Sequence, residues 1–373
     1  MNVLVFSWRD PKHPFAGGAE QVMHEHMKGW IEGGHNVTLF SSRFDNSPTR
    51  EKIDGVSIIR AGHQYLGVQI AAFFYYMQNR ENYDFVVDQF HGIPFFTPLY
   101  ITKPKIAVIQ ETAREVWFLN PLPLPLNMIV GLIGFILEPL LFILYKNTKF
   151  MTGSDSARED IARFGIPKKN ISVVPHGVIV EKPKKAISKE KIKTIVFLGM
   201  LSKDKGIEDA IRVFSILDKK GKFNFWVIGK AESNNYKKYL ENLVSELKLD
   251  KKVRFWGFIS QEQKFELLSV AHVLINPSKR EGWGLVNIEA NSVGIPVVAF
   301  NSRGLIDSVI DEYSGLICLQ NTPESMADSV YNLIVDNERY QALSGNAINW
   351  SRKFTWDNSC ALSLKLINRL KDD

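Results

Sequence analysis

The chain is poor in cysteine: Cys318 and Cys360 are the only two among 373 residues, and they form no C-x-x-C pair. A disulfide framework and a cysteine zinc site are therefore not expected, and the usage fits a reducing cytoplasm. Long blocks of like charge are also missing. The 46 Lys+Arg against 40 Asp+Glu leave a formal charge of +6, a mild excess that favours phosphates, nucleotides or an acidic membrane face as partners. The densest basic run is Lys182, Lys184, Lys185, Lys189, Lys191 and Lys193, in a stretch that reads as a linker. Nothing has the pattern of a zinc finger, homeodomain or RNA-recognition motif, so no nucleic-acid partner is expected. Met1-Asn2-Val3-Leu4-Val5-Phe6 lacks the parts of a secretion signal and reads as a buried strand. G-x-G-x-x-G is absent, which argues against nicotinamide chemistry.

What is present is alternation. Apolar runs at Val3–Phe6, Val37–Phe40, Val56–Ile59, Phe85–Val87, Ile106–Ile109, Phe150–Thr152 and Ile171–Val174 read as one series of strands. A second series is Thr194–Leu198, Phe223–Ile228, Val253–Trp256, Val273–Ile275, Val297–Phe300 and Leu316–Cys318. Helical spacing marks Glu20–Ile31, Ile207–Leu217, Tyr236–Leu247 and Met326–Val335 between them. Parallel strands need such crossovers. The pattern predicts an α/β chain of two Rossmann-like, doubly wound domains, residues 1–185 and 186–350, joined through a polar linker at Glu181–Lys193. A C-terminal helix, 351–373, is expected to pack back on the first domain. Ligands of such sheets lie beyond the carboxyl ends of the strands, so an interdomain cleft is the expected site.

One segment departs from this pattern. Leu126–Tyr145 is almost wholly apolar and long enough to cross a bilayer, yet it contains Glu138 and Pro139 and is followed by further strands. Three readings follow: a helix buried against the sheet, an apolar helix touching or dipping into a membrane surface, and a true span. Lys146 and Lys149 at its end suit anionic head groups. The aromatic tract Phe73-Phe74-Tyr75-Tyr76 reads as core packing.

The most informative stretch runs from Asn276 to Ala290, after the strand Val273–Ile275. Gly282 and Gly284 permit close approach of a ligand to the backbone, and a helix opening near Gly284 offers unbonded N–H groups to an anion. Glu281 lies in the loop and Glu289 eight positions on, within the helix. Two carboxylates so placed can each accept hydrogen bonds from paired hydroxyls, a sugar at one end and a ribose at the other.

This stretch resembles the E-x7-E motif of family 4 glycosyltransferases, retaining enzymes of the GT-B fold. Four more places match in order: Gly17-Gly18-Ala19-Glu20 resembles the family's glycine-rich turn, Val174-Pro175-His176-Gly177-Val178 its segment closing the first domain, Phe197 to Gly206 its diphosphate loop, and Ser314-Gly315-Leu316-Ile317 a late strand. The resemblance implies transfer of a sugar from a nucleotide diphosphate sugar to an acceptor hydroxyl, with retention and front-face attack. Lys205 would neutralise charge growing on the departing diphosphate. The donor would be held by Gly17 and Gly18, by the backbone of Gly257, Phe258 and Ile259, and by Lys205, Glu281, Gly282, Trp283, Gly284, Leu285 and Glu289, with Lys205 and Glu281 as the catalytic pair. His91, Gln110 and Arg114 are the acceptor candidates. The chain departs from the family at Met200, where an arginine is usual and for which Lys203 is the candidate replacement, and at Gln110, where a histidine is usual. No D-x-D triplet occurs, so neither a catalytic metal nor another cofactor is expected. The apolar helix suggests a lipid-linked or glycan acceptor, envelope polysaccharide assembly, and a cytoplasmic enzyme peripheral to the inner membrane face. The competing readings are a nucleotide-sugar epimerase of similar fold and a non-catalytic protein that binds sugar or a membrane surface.

Overall fold

A computed structural model describes residues 1–64, 66–120, 122–178 and 188–372. The chain divides into two units, Met1–Gly177 with Thr355–Asp373, and Val178–Phe354. The 185/186 boundary and residues 181–187 of the expected linker, with Lys182, Lys184 and Lys185, lie outside the described residues.

The first unit runs β1 (Asn2–Phe6), α1 (Gly18–Glu32), β2 (Asn36–Ser41), β3 (Arg50–Ile53), β4 (Val56–Arg60), α2 (Gly67–Asn79), β5 (Phe85–Gln89), β6 (Lys105–Val108), α3 (Leu126–Leu144), β7 (Lys149–Thr152), α4 (Asp155–Arg163) and β8 (Ile171–Val173). Its sheet has the order β3-β4-β2-β1-β5-β6-β7-β8. All pairs are parallel except β3 with β4. Alternate strand residues face opposite layers. Val3, Val5, Phe85, Val87, Ile106 and Val108 pack with α1 residues Met23 and Met27, while Leu4, Phe6 and Val86 pack under α2 at Val68 and Ala72.

The second unit runs β9 (Lys193–Leu198), α5 (Ile207–Asp218), β10 (Phe223–Ile228), α6 (Asn234–Glu246), β11 (Val253–Gly257), α7 (Gln261–Val270), β12 (Val273–Asn276), α8 (Leu285–Ser292), β13 (Val297–Ala299), α9 (Leu305–Ser308), β14 (Gly315–Ile317), α10 (Pro323–Val335) and α11 (Asn337–Ser351). Its parallel sheet has the order β11-β10-β9-β12-β13-β14. The order reverses between β9 and β12, the topological switch point at which doubly wound sheets bind ligands.

The last helix, α12 (Trp356–Asp372), belongs to the first unit. Leu366, Ile367 and Leu370 join the core beneath α1, and Trp30 Nε1 donates to Ser363 Oγ at 3.0 Å. The approach is close: a Cβ on Gly29 would lie 2.5 Å from Cys360 Cβ.

Two expectations are corrected. Helix α3 is not buried against the sheet, since among its residues only Gly131, Glu138 and Phe142 are buried. Leu126, Ile129, Ile133, Ile136, Leu140 and Ile143 are all at least half exposed. Nor does it span a bilayer within this fold, because β6 and β7 on either side of it pair with each other in one sheet. Both ends therefore stay on the same side. The tract Phe73-Phe74-Tyr75-Tyr76 is only partly core, because Tyr76 is buried while Phe73 and Phe74 face outward from α2.

Candidate active site

The loops after β9 and β12 meet at the switch point. Gly206, at φ +73°, turns the first loop into α5, and a Cβ there would stand 2.2 Å from the Pro277 carbonyl oxygen. Only glycine allows that approach. Lys279 N–H donates to Asp204 O across the same contact at 2.9 Å. The packing carries Lys205 to Glu281, with Nζ 2.9 Å from Oε1 and Asp204 Oδ2 at 3.7 Å. Ser278 Oγ donates to the same Glu281 oxygen at 2.9 Å. The Glu281 N–H donates to Arg303 O. The Lys205 and Glu281 side chains retain 24% and 17% of their exposure, enough for a ligand to reach both.

The helix beyond this loop is fixed from within. Gly284, at φ +87°, caps α8. Asn276 Nδ2 donates to Asn287 Oδ1 at 2.9 Å, and Asn287 Nδ2 donates to Ser308 Oγ at 2.9 Å. This buried amide ladder ties β12 to α8 and α9, and it sets the direction in which the first amides of α8 point. One turn further on, Glu289 pairs with Lys264 of α7 at 2.7 Å, both side chains nearly buried. The two acids thus each have a lysine: Glu281 with Lys205, Glu289 with Lys264. Lys264 escaped the sequence reading, as did Ser278, Asn276 and Asn287. Asn276 precedes the Glu281–Glu289 motif and Asn287 lies within it, but nothing in a sequence marks them as one ladder.

The remaining donor candidates vary in situation. The Trp283 ring is buried against Phe354 and Ile288, so its side chain is core and does not face a ligand. Leu285 packs in that same cluster. Gly282 lies in the loop between the two acids. Gly257 has φ +69° and its carbonyl accepts from Gly229 N–H at 2.9 Å. Phe258 is 87% exposed, while Ile259 packs against the core of the second sheet. Met200 is 40% exposed and Lys203 is exposed on the same loop.

In the first unit, the Gly17 N–H donates to Glu20 Oε2 at 2.7 Å, and Glu20 Oε1 accepts from Arg9 Nε at 2.8 Å. The Gly17 amide is therefore engaged by its own helix, and the unbonded first-turn amides begin at Gly18. His91 is exposed just beyond β5. Gln110, beyond β6, lies with Oε1 2.7 Å from Nε2 of His176. His176 is buried, and burial pushes its imidazole down to about 3. Its ring meets that of His26, likewise buried and pushed down to about 4. Gln110 thus serves as the partner of a neutral buried histidine. Arg114 stands at φ +44°. Its guanidinium lies 5.7 Å from the Phe135 ring centroid and 5.5 Å from that of Phe164, and its N–H donates to Glu138 Oε2 at 2.8 Å.

Comparison with known proteins bears on the family and the fold. The family description "Glycosyltransferase Family 4" matches residues 16–182, and "Glycosyl transferases group 1" matches residues 179–350. An uncharacterised glycosyltransferase of Methanocaldococcus jannaschii is 30% identical over 177 residues, 48% of this chain and 48% of that protein. A D-inositol 3-phosphate glycosyltransferase of Corynebacterium urealyticum is 32% identical over 133 residues, 36% of this chain and 31% of that protein. The match thus spans half or less of these relatives' length. Among solved structures, a sucrose-phosphate synthase from Thermosynechococcus elongatus superposes with TM-score 0.79 at 18% identity, covering 99% of this chain and 98% of that one. An Anabaena protein, HepE, in complex with UDP-glucose superposes with TM-score 0.72 at 15% identity over 99% of this chain and 100% of that one. With the two family descriptions matching in tandem from residue 16 to residue 350, the chain belongs to the family 4 glycosyltransferases of the GT-B fold.

Proposed function

We propose that the protein transfers a sugar from a nucleotide diphosphate sugar to an acceptor hydroxyl with retention of anomeric configuration. The observation that carries this is the contact of Lys205 with Glu281 at the switch point of the second sheet, 2.9 Å. Without a ligand the ammonium and carboxylate neutralise each other. A donor would part them: Lys205 moves to the diphosphate, whose negative charge grows as the bond from C1 to the phosphate oxygen breaks, and Glu281 accepts hydrogen bonds from sugar hydroxyls. The acceptor oxygen bonds to C1 on the face the phosphate leaves, and its proton passes to the departing phosphate oxygen. No side-chain base is needed, and the diphosphate charge is met by Lys205 and helix amides rather than by a metal ion. Glu289, braced by Lys264, takes the ribose hydroxyls. The complex of HepE with UDP-glucose supports a nucleoside diphosphate sugar as the donor class.

The exposed apolar surface of α3 favours work at the cytoplasmic face of a membrane, on a lipid-linked or growing glycan acceptor such as those of envelope polysaccharides. The test is incubation with UDP-, GDP- and ADP-sugars, with and without a lipid extract, reading nucleoside diphosphate release. Release by the wild type, lost in Lys205→Ala and Glu281→Ala, is expected. Isomerised donor without transfer would mean an epimerase, and tight binding with no turnover a binding protein; either result overturns the proposal.

A further inference from the structure

Helix α2 turns a second apolar stripe outward. Ile70, Phe74 and Met77 are 59%, 58% and 44% exposed, at the i, i+4, i+7 spacing of one helix face. Helices α2 and α3 cover the same face of the first sheet. Leu4 pairs with Val86, Asp88 with Ala107, and Ala107 with Phe150. Strand alternation therefore puts the residues beneath α2 (Leu4, Val86) and those beneath α3 (Ala107, Phe150) on one side. The two helices are also bound together. Tyr100 packs its ring on Phe73 and Tyr76 of α2. Three residues earlier, Thr97 Oγ1 donates to Asp88, which also accepts from the Tyr145 hydroxyl at the end of α3. Between the helices Leu99 is 65% exposed.

We propose that α2 and α3 form a single docking face that lies flat on an anionic lipid bilayer. The proposal rests on the membrane reading of α3 and extends it to a second helix, which fixes how the first unit meets the surface. A bilayer fits better than a protein partner for three reasons. Exposed apolar positions cover more than half of the circumference of α3, all but the side that carries Gly131, Gly134, Glu138 and Phe142, whereas a docked helix or a second copy of the chain would need only a stripe. The only carboxylate of α3, Glu138, is turned inward, accepting from Ala113 N–H, Arg114 N–H and Trp117 Nε1, so the helix presents no charge to hydrocarbon. Finally, Lys146 is exposed just beyond α3, at the end of the face where both helices terminate; at that same end Lys103, in the turn before β6, and Lys105, its first residue, are half-buried and donate to the carbonyls of Arg80, Tyr83 and Ile101. That end is suited to anionic head groups; Arg80, nearby, is paired with Glu81.

The test is flotation of the full chain with phosphatidylcholine vesicles and with mixed phosphatidylcholine–phosphatidylglycerol vesicles. The wild type should float with the mixed vesicles and much less with phosphatidylcholine alone. The doubly charged variants Ile70→Glu/Phe74→Glu on α2 and Ile133→Glu/Leu137→Glu on α3 should each lower the bound fraction about tenfold or more. Their near-ultraviolet circular dichroism should be unchanged, because these positions are exposed. If the α2 variant floats like the wild type while the α3 variant does not, the two-helix face is wrong and α3 alone docks. A wild type that stays unbound with both vesicles overturns the membrane reading itself. Sedimentation as a dimer that the α3 variant dissociates would then assign the face to a second copy of the chain.

Discussion

Acidification should weaken the first unit through His26 and His176. Both are buried, with folded values of about 4 and about 3 against an ordinary 6.5. Each therefore stays neutral in the fold under conditions that protonate it in the unfolded chain. Between about pH 6.5 and the folded values the unfolded state binds more protons, so stability rises with pH there; it is fully present above 6.5 and lost as pH falls. Going from pH 7 to pH 5, each histidine should cost about 2 kcal/mol, and the pair about 4 kcal/mol. For a unit of this size that corresponds to roughly 8–15 °C in melting temperature. His272 in the second unit, pushed down to about 4 by burial first and by two lysines, acts with the same sign, so the assay must be differential. Urea unfolding of wild type and His26→Leu at pH 7 and pH 5 isolates one contributor. The wild-type loss should exceed the variant's by about 2 kcal/mol. Equal losses would show that the His26 ring is not held neutral and would refute the reasoning.

Three further outcomes follow from the packing. Gly304 stands at φ +80° with a would-be Cβ 2.1 Å from the Glu281 carbonyl oxygen, so Gly304→Ala should displace the Glu281 loop, cost about 1–3 kcal/mol and cut turnover at least about tenfold, measured by nucleoside diphosphate release. Lys264→Met leaves the nearly buried Glu289 without its partner and should cost about 3 kcal/mol in urea unfolding, with Lys264→Met/Glu289→Gln recovering part of the loss. Glu138→Ala orphans the buried Ala113 N–H together with the Arg114 N–H and Trp117 Nε1 and should cost about 2–5 kcal/mol by the same assay.

The sheets were legible because their central strands are short apolar runs with helical spacing between them. Strand β3 was not. Arg50-Glu51-Lys52-Ile53 is a polar antiparallel edge, and an edge strand with one solvated face needs no apolar run. The lysine and acid at the switch point were readable because each lies in a short local motif that ends on a glycine opening a helix, Gly206 after Lys205 and Gly284 after Glu281. Lys264 was not, because its meeting with Glu289 depends on how α7 packs beside α8, which sequence spacing does not encode. Helix α3 shows another limit. Composition reports that a segment is apolar but not what surrounds it. Here the pairing of β6 with β7 excludes a span, and solvent exposure excludes a core helix.

The central claim is that Lys205 and Glu281 exchange each other for the two ends of an activated sugar. A crystal structure of the chain with the nucleotide sugar it turns over tests this most directly. It should show Lys205 Nζ within hydrogen-bond distance of a diphosphate oxygen, the Glu281 carboxylate on sugar hydroxyls and Glu289 on the ribose, with the 2.9 Å Lys205–Glu281 contact opened. A bound nucleotide sugar elsewhere, with that contact intact, would contradict it.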